Sequence, residues 1–387
     1  MPLVTEKMLF SLTGLNGRVN VGWGRVTGAA DNLVAAAGSR VFLFSAVNAG
    51  YVSGPEVDAG ARILSLAVGL PITTGAPANI ILGLEDRLVL YGSRQGALVR
   101  LAETQSEPGA RFADLALADL DNDGREEIIA APEGMALLFF YRFTGPETGE
   151  LRLELLAIRV LPGPAQKVTT FRRAGNLAPV VMVAYRRNGV SGLLTLIFTE
   201  RGFIEGPAQE FLPALVTSLT AGDLAAGPEE EVAWGGNDGF LRVVDADATL
   251  RLVFISDNLG SEISALTVGT LEGEGVTLIA GTPEGFLFGY NTPVENNAPD
   301  WMVRTGNPVN DLAVSEGGVL GLGTVDGGVQ IWLLSGLNSN GLTHTVQQGE
   351  TLYAIAAKYG TTVRAIVNAN AISDPAMIFP GQRIKIP

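Results

Sequence analysis

The sequence predicts an all-β fold, a seven-bladed β-propeller of four-stranded blades closed by an N-terminal strand, followed by a small βααβ domain. Three observations carry this expectation. An apolar run, a turn holding glycine and a second alternating apolar run recur seven times before residue 336, at intervals of about 40 to 55 residues. The 49 glycines fall at short intervals between these runs, as turns joining many short strands require. After residue 336 the texture changes, and helical periodicity appears between two short alternating segments.

The repeated phrase reads LVAAAGSRVFLF from Leu33, IILGLEDRLVLYG from Ile80 and IIAAPEGMALLFFY from Ile128. It continues as VVMVAYRRNGVSGLLTLIF from Val180, VAWGGNDGFLRVV from Val232, LIAGTPEGFLFGY from Leu278 and VLGLGTVDGGVQIW from Val319. Each copy has an apolar run upstream, such as LVTSLTAGDL from Leu215, and most have one downstream, such as LRLELLAIRVL from Leu151. Four short strands separated by turns are the unit of a propeller blade, and each blade buries its faces on its neighbours. A pair of β-sandwiches competes as a fold but needs no such period. The seventh copy supplies three strands and then reaches Leu334-Ser335-Gly336 without a fourth. The unassigned run Lys7-Met8-Leu9-Phe10-Ser11 is predicted to complete that last blade and clasp the ring shut. The domain reading is therefore 1–336 propeller, 337–342 linker and 343–387 small domain.

Composition narrows the function. Apolar residues make up 47% of the chain and charged residues 17%, enough to bury a large interior. A net charge of −14 repels phosphate backbones and argues against nucleic acid as a partner. With no cysteine and His344 as the sole histidine, Ser-His, Cys-His and histidine–metal chemistry are not expected. The start of the chain lacks the apolar stretch of a Sec signal, and no run is long enough to cross a bilayer. Glu229-Glu230-Glu231 reads as a solvated turn before a strand. From Leu155 to Thr199 there is no acidic residue, while Arg172, Arg173, Arg186 and Arg187 fall within that stretch. This makes the fourth repeat a candidate dock for an acidic partner, set against the alternative of strand-edge charges that discourage aggregation.

One loop has the pattern of a cation site. Asp119, Asp121, Asp123 and Glu127 stand at its positions 1, 3, 5 and 9, with Gly124 at the reversal and the Arg125 carbonyl at position 7. Hard oxygen donors so spaced can converge on one cation; the alternative is an acidic solvated turn. The segment DLALADLDNDGREEIIAA resembles the FG-GAP, or integrin-type, propeller repeat. That resemblance implies a single structural Ca²⁺ held by Asp119, Asp121, Asp123, Glu127 and the Arg125 carbonyl, with Glu where the family has Asp at the ninth position.

The last 45 residues show the order strand, helix, helix, strand. Thr343-His344-Thr345-Val346 alternates, and Thr351 can cap a helix whose apolar stripe is Leu352, Ile355, Ala356 and Tyr359. Gly360 stops that helix, Thr362 can cap a second with stripe Val363, Ile366 and Val367, and Arg383-Ile384-Lys385-Ile386 alternates again. The phrases HTVQQGETLYAIAAKYGTT, VRAIVNANAIS and IFPGQRIKIP resemble the LysM domain over its whole length. The resemblance implies a shallow groove for N-acetylglucosamine-containing glycan, peptidoglycan or chitin-like. One wall would be Gly349, Glu350, Thr351 and Leu352; the other would be Asn370, Ala371, Ile372, Ile378 and Phe379.

The function expected is non-catalytic: a bacterial cell-envelope or extracellular scaffold whose propeller is an interaction platform. Two alternatives stand beside it. One is a structural subunit of a phage-like or injection-type assembly, which would suit a cytoplasmic or particle-associated chain. The more distant one is a glycan-active enzyme using carboxylates in the propeller channel.

Overall fold

The computed structural model describes the chain except residues 1–4, 29, 49, 73–76, 145–151, 174–177, 247–248, 272–274, 336–341, 348, 360–362, 371, 373–374, 376, 380 and 387. Strand β1 (Thr5–Leu12) precedes the first complete blade, which is β2 (Val19–Gly24), β3 (Asn32–Ala37), β4 (Arg40–Val47) and β5 (Gly50–Asp58). Blade 2 is β6 (Ser65–Gly69), β7 (Asn79–Gly83), β8 (Leu88–Arg94) and β9 (Ala97–Glu103). Blade 3 is β10 (Arg111–Ala118), β11 (Glu127–Glu133), β12 (Leu137–Thr144) and β13 (Arg152–Val160). Blade 4 is β14 (Ala165–Phe171), β15 (Val180–Arg187), β16 (Val190–Thr199) and β17 (Gly202–Gln209). Blade 5 is β18 (Val216–Gly222), β19 (Glu231–Gly236), β20 (Leu241–Asp245) and β21 (Arg251–Ile255). Blade 6 is β22 (Ala265–Thr270), β23 (Val276–Gly281), β24 (Phe286–Asn291) and β25 (Trp301–Arg304).

The seventh blade contains β26 (Val309–Val314), β27 (Leu320–Thr324) and β28 (Val329–Ser335), and its fourth strand is β1. The antiparallel register runs from Thr5 opposite Ser335 to Leu12 opposite Val329, with a shift between Met8 and Phe10. The clasp expected from the sequence is therefore present and slightly longer than the Lys7–Ser11 run. The fourth repeat, although divergent in sequence, is a regular four-stranded blade.

Second strands such as β3, β7, β19 and β27 are buried along their whole length, which is why they read as unbroken apolar runs. Outer strands such as β13 mix exposed and half-buried positions. No blade owns a core. Val34 and Leu43 of blade 1 pack with Ile80 and Leu82 of blade 2, and Val329 and Ile331 of blade 7 pack with Leu33 and Ala35 of blade 1. Several glycines read as turns lie instead inside strands, where blades press together. A Cβ on Gly323 would stand 2.2 Å from the Val19 carbonyl oxygen of the next blade; within blade 6, one on Gly289 would stand 1.8 Å from Trp301 Cε2 on the paired strand.

Polar side chains stitch each inner strand to the next. Asn20 Nδ2 donates to Leu64 O (3.4 Å), Ser65 Oγ to Phe112 O (2.7 Å) and Ser264 Oγ to Val309 O (2.7 Å). At the closing seam Asn310 Nδ2 donates to Val19 O (2.8 Å), and Asp311 accepts from Val21 N (2.9 Å). Asp114 accepts from Val168 N in the same manner (2.8 Å). The seven inner strands enclose a cavity of about 950 Å³ that holds Asp114, Lys167 and Asp311. Lys167 Nζ stands 3.4 Å from Asp114, whose charge holds the ammonium above its ordinary range. Burial pushes the Asp311 carboxyl up to about 6.

The small domain comprises β29 (Leu342–Thr345), α1 (Leu352–Tyr359), α2 (Val363–Asn370) and β30 (Arg383–Ile386). Leu342 already belongs to its first strand, one residue earlier than read; the linker positions 337–341 and the boundary residue Gly336 lie outside the described residues. β29 and β30 pair antiparallel, Leu342 opposite Ile386. Val346, Leu352, Ile355, Ala356, Ile366 and Ile384 form the buried core. Thr351 caps α1: its hydroxyl accepts from Ala354 N at 3.2 Å. Gly360 and Thr362, read as stop and cap, lie outside the described residues.

Two outcomes are expected. Removing residues 1–12 strips β28 of its partner, so thermal unfolding should come roughly 10 °C or more earlier, with concentration-dependent association through the bared edge. For Asp311, the folded carboxyl binds its proton more tightly than the unfolded one, whose ordinary value is 3.8. Stability therefore declines as pH rises from 3.8 to about 6, and Asp311→Asn, which keeps an acceptor for Val21 N, should flatten that decline in a melting-temperature profile.

Candidate functional site

The loop leading into α1 and the loop leading into β30 are held side by side by backbone bonds. Val346 N donates to Gln382 O at 2.9 Å and Gly381 N donates to Val346 O at 2.8 Å. The second loop is closed on itself: Gln382 N donates to Phe379 O, and Phe379 N donates to the Gln382 side-chain oxygen, both at 3.0 Å. Behind it, Ile372 N donates to Val367 O at 3.1 Å, so the chain leaving α2 curls over its last turn. Two short loops of fixed backbone thus border a shallow surface.

The residues read as walls of a groove do not all face it. Gly349, at φ 87°, and Thr351 are exposed, and Phe379 keeps 60% of its surface in solvent. Ile372 and Ile378 are half-buried against the core, leaving part of each available. Leu352 is only 2% exposed and is a core residue, because the first position of α1's apolar stripe must face α2 and β30. Asn370 donates from its side chain to Ile366 O at 2.8 Å, closing the end of α2. Ala371 lies outside the described residues. Tyr353 (78% exposed) and Met377 (58%) are large apolar side chains near these loops in sequence that the motif-based assignment missed. Their signal was available: each sits next to a stripe or turn residue without continuing the apolar period.

Glu350 turns inward. Its carboxylate accepts from Gln347 N at 2.8 Å and meets His344 Nε2, while His344 Nδ1 lies 3.0 Å from the Tyr359 hydroxyl. These bonds, the Gln347 amide first, hold the Glu350 carboxyl below its ordinary value of 4.5. His344 is buried, so the chain's single histidine ties β29 to the loop before α1 and to the end of α1. It is a brace of the small domain. Sequence spacing hid this, because the three residues come together only once β29 lies under the helix.

On the propeller, the acidic loop after β10 is a tight coil of its own bonds. Asp119 accepts from Asp123 N and Gly124 N (3.0 and 2.9 Å), and Asp123 accepts from Arg125 N (2.8 Å). Carboxylate oxygens of Asp119, Asp121 and Glu127 lie within 4.8 Å of one another; Asp123 is not in that set. Glu127 is buried and accepts from Leu120 N at 2.8 Å. Burial, and then the charges of Asp121, Asp123 and Asp119, push its carboxyl up to about 7. The corresponding loop of blade 5 keeps the same brace without the spaced acids: Glu231 accepts from Leu224 N and Ala225 N (3.0 and 2.8 Å). Glu126 and Glu230 also match, accepting from Leu70 N and Arg172 N of the preceding blades. Glu229-Glu230-Glu231 is thus no solvated turn, since two of its carboxylates satisfy backbone donors.

The basic stretch is not one patch. In the ladder of β14 with β15, Phe171 faces Val180 and Ala165 faces Tyr185, so Arg172 and Arg173 leave one end of the blade and Arg186 and Arg187 the other. That ladder puts about 20 Å between the pairs. Arg159 belongs to β13 of blade 3, and Arg187 is paired with Glu210.

Replacing Glu350 by Ala removes the acceptor shared by Gln347 N and His344. The small domain of that variant should melt earlier than wild type. Because the folded carboxyl is held below 4.5, its contribution is present above that pH and fades as pH falls below it. Following α1 and α2 amide signals by NMR during acidification should locate that fade in the wild type and not in Glu350→Ala.

Comparison with known proteins fits this geometry. The sequence profile of the LysM domain matches residues 344–387. The N-acetylmuramoyl-L-alanine amidase sle1 of Staphylococcus epidermidis is 43% identical over 53 residues, 14% of this chain and 16% of the amidase. Its counterpart in Staphylococcus saprophyticus is 50% identical over 46 residues, 12% of this chain and 14% of the amidase. The chain thus spans 16% or less of the length of these relatives, and the likeness falls on the LysM region alone. Among solved structures, BBS1N in crystals of its complex with ARL6DN superposes with a TM-score of 0.64 at 14% identity. It covers 85% of this chain and 97% of its own, a likeness of fold only. Residues 344–387 are a LysM domain, carried by a chain whose preceding strands form a seven-bladed β-propeller.

Proposed function

We propose that this chain is a non-catalytic binding protein. Its LysM domain holds an N-acetylglucosamine-containing polymer, peptidoglycan or a chitin-like glycan, and its propeller is an interaction platform at the cell envelope. The observation that carries the reading is the LysM domain with its two bordering loops locked together by the Val346–Gln382 and Gly381–Val346 bonds. Exposed Gly349, Thr351 and Phe379, with half-buried Ile372 and Ile378, offer backbone donors and acceptors to an N-acetyl group and apolar surface to its methyl. A site so shallow binds one sugar unit weakly, and a polymer with many units compensates. The absence of cysteine and the structural use of the single histidine favour binding over catalysis. Among the described residues no helix is long and apolar enough to cross a membrane.

Blade 3 is proposed to hold one Ca²⁺ as a brace. Asp119, Asp121 and Glu127 are hard oxygen donors close enough to share an ion, and a cation there would relieve the crowding of negative charge around buried Glu127. Asp123 and the Arg125 carbonyl, implied by the FG-GAP resemblance, would join by a small adjustment of the coil. The ion would tie the start of the loop to the start of β11 and do no chemistry.

Co-sedimentation with purified peptidoglycan and with chitin tests the first reading. The full chain should pellet, and a chain ending at residue 335 should stay in solution. If neither pellets, the domain is an assembly piece and the glycan reading fails. Calcium at 100 times its dissociation constant should stabilise the propeller by about 2.7 kcal/mol in thermal unfolding. Asp121→Ala should abolish that increment, and an equal increment in the variant would remove the ion from this loop.

A further inference from the structure

The end of blade 4 that carries Arg187 has a feature that neither the LysM domain nor the acidic loop explains. Asn188 and Gly189, both at positive φ, make the two-residue turn between β15 and β16. Beside that turn lies a pocket of about 170 Å³ lined by Tyr185, Arg187, Asn188, Gly192, Glu210 and Phe211, among others. Phe211 is 76% exposed and sits at φ 59°, a conformation that costs a bulky residue free energy. Its neighbour Leu212 is buried and donates from its backbone to Ser191 O at 3.0 Å, which fixes the loop and keeps the Phe211 ring outside. A Cβ at Gly192 would stand 2.5 Å from Tyr185 Cζ and push on the tyrosine ring. The floor of the pocket is therefore bare backbone and one tyrosine.

The polar groups select a kind of ligand. Glu210 accepts from the Tyr185 hydroxyl at 3.4 Å and pairs with Arg187 at 3.5 Å. An incoming cation or anion would sit beside a like charge of that pair. A neutral polyhydroxylated ring would not: its hydroxyls can meet the acceptors of Glu210 and the donors of Arg187 and Asn188 while its apolar face lies on the Phe211 ring. A pocket of about 170 Å³ is of the size of one such ring.

We infer that this pocket is a second carbohydrate subsite, taking one neutral pyranose unit of the same polymer that the LysM domain holds. The identity of the polymer rests on the reading given under the proposed function; the subsite itself rests on blade 4. Two weak sites on one chain convert the second contact into an intramolecular one and raise retention well beyond either alone.

The test uses the full chain and three variants: Phe211→Ala, Phe211→Asn and Ile378→Asp. Calorimetry with chitopentaose should count two sugar sites in the wild type and one in each variant. Retention on peptidoglycan should fall on the order of tenfold or more in both Phe211 variants. Asparagine tolerates positive φ, so Phe211→Asn should keep or raise the melting temperature while losing the site. Unchanged stoichiometry and retention in the Phe211 variants would overturn the subsite, as would a lower melting temperature of Phe211→Asn with sugar binding intact. If Ile378→Asp changes nothing while the Phe211 variants lose binding, the LysM reading fails and the propeller subsite stands.

Discussion

A propeller blade cannot bury its own faces, and the architecture of the first 335 residues follows from that constraint. The second strands are covered on both sides by neighbouring blades, so their side chains are apolar without alternation, and removing any neighbour would bare two surfaces at once. Crowding at the centre is severe enough that glycine is the only residue that fits where Gly323 passes the Val19 carbonyl. The inner strands also leave backbone donors and acceptors along the axis. Asn20, Ser65, Asp114, Ser264, Asn310 and Asp311 supply partners across the seams. Asp114 and Asp311, which meet backbone amides of the next blade, thereby place carboxylates in the axial cavity.

Ring closure sets the economy of the termini. Because β1 is the outer strand of the last blade, the first and last segments of the propeller are hydrogen-bonded to each other. The LysM domain begins at Leu342, after the last strand of the ring, and has a core cluster of its own. Its own stability depends on a small core and on one polar brace, His344 with Glu350 and Tyr359. A domain of this size has little apolar area to spare, and the cost of ordering its loops is met by backbone bonds between them.

The two acidic loops share one architecture. In blades 3 and 5 a glutamate at the start of the second strand caps the same backbone amides, and the preceding glutamate reaches back to the previous blade. That brace is the shared scaffold. Asp223 of blade 5 stands where blade 3 has Asp119, but Ala225 and Gly227 replace Asp121 and Asp123; among the described residues only the blade 3 loop brings three carboxylates together. The spaced aspartates are an addition to a structural device that blade 5 keeps with Ala225 and Gly227 in place of Asp121 and Asp123.

Periodicity along the chain was enough to determine the blade count, the clasp by β1 and the order of elements in the LysM domain, because each rests on local patterns of apolar residues and turns. Thr351 as a helix cap was legible for the same reason. Tertiary structure alone decided which polar groups face one another. Glu350 and Leu352 belong to the groove by position in the motif, yet one turns to His344 and the other into the core. The arginines of the fourth repeat are neighbours in sequence, yet an antiparallel ladder sends the two pairs to opposite ends of a blade. Many glycines that read as turns serve contacts between strands far apart in the chain. Periodicity reports how a segment meets a core; the partner it finds there depends on where the rest of the chain has gone.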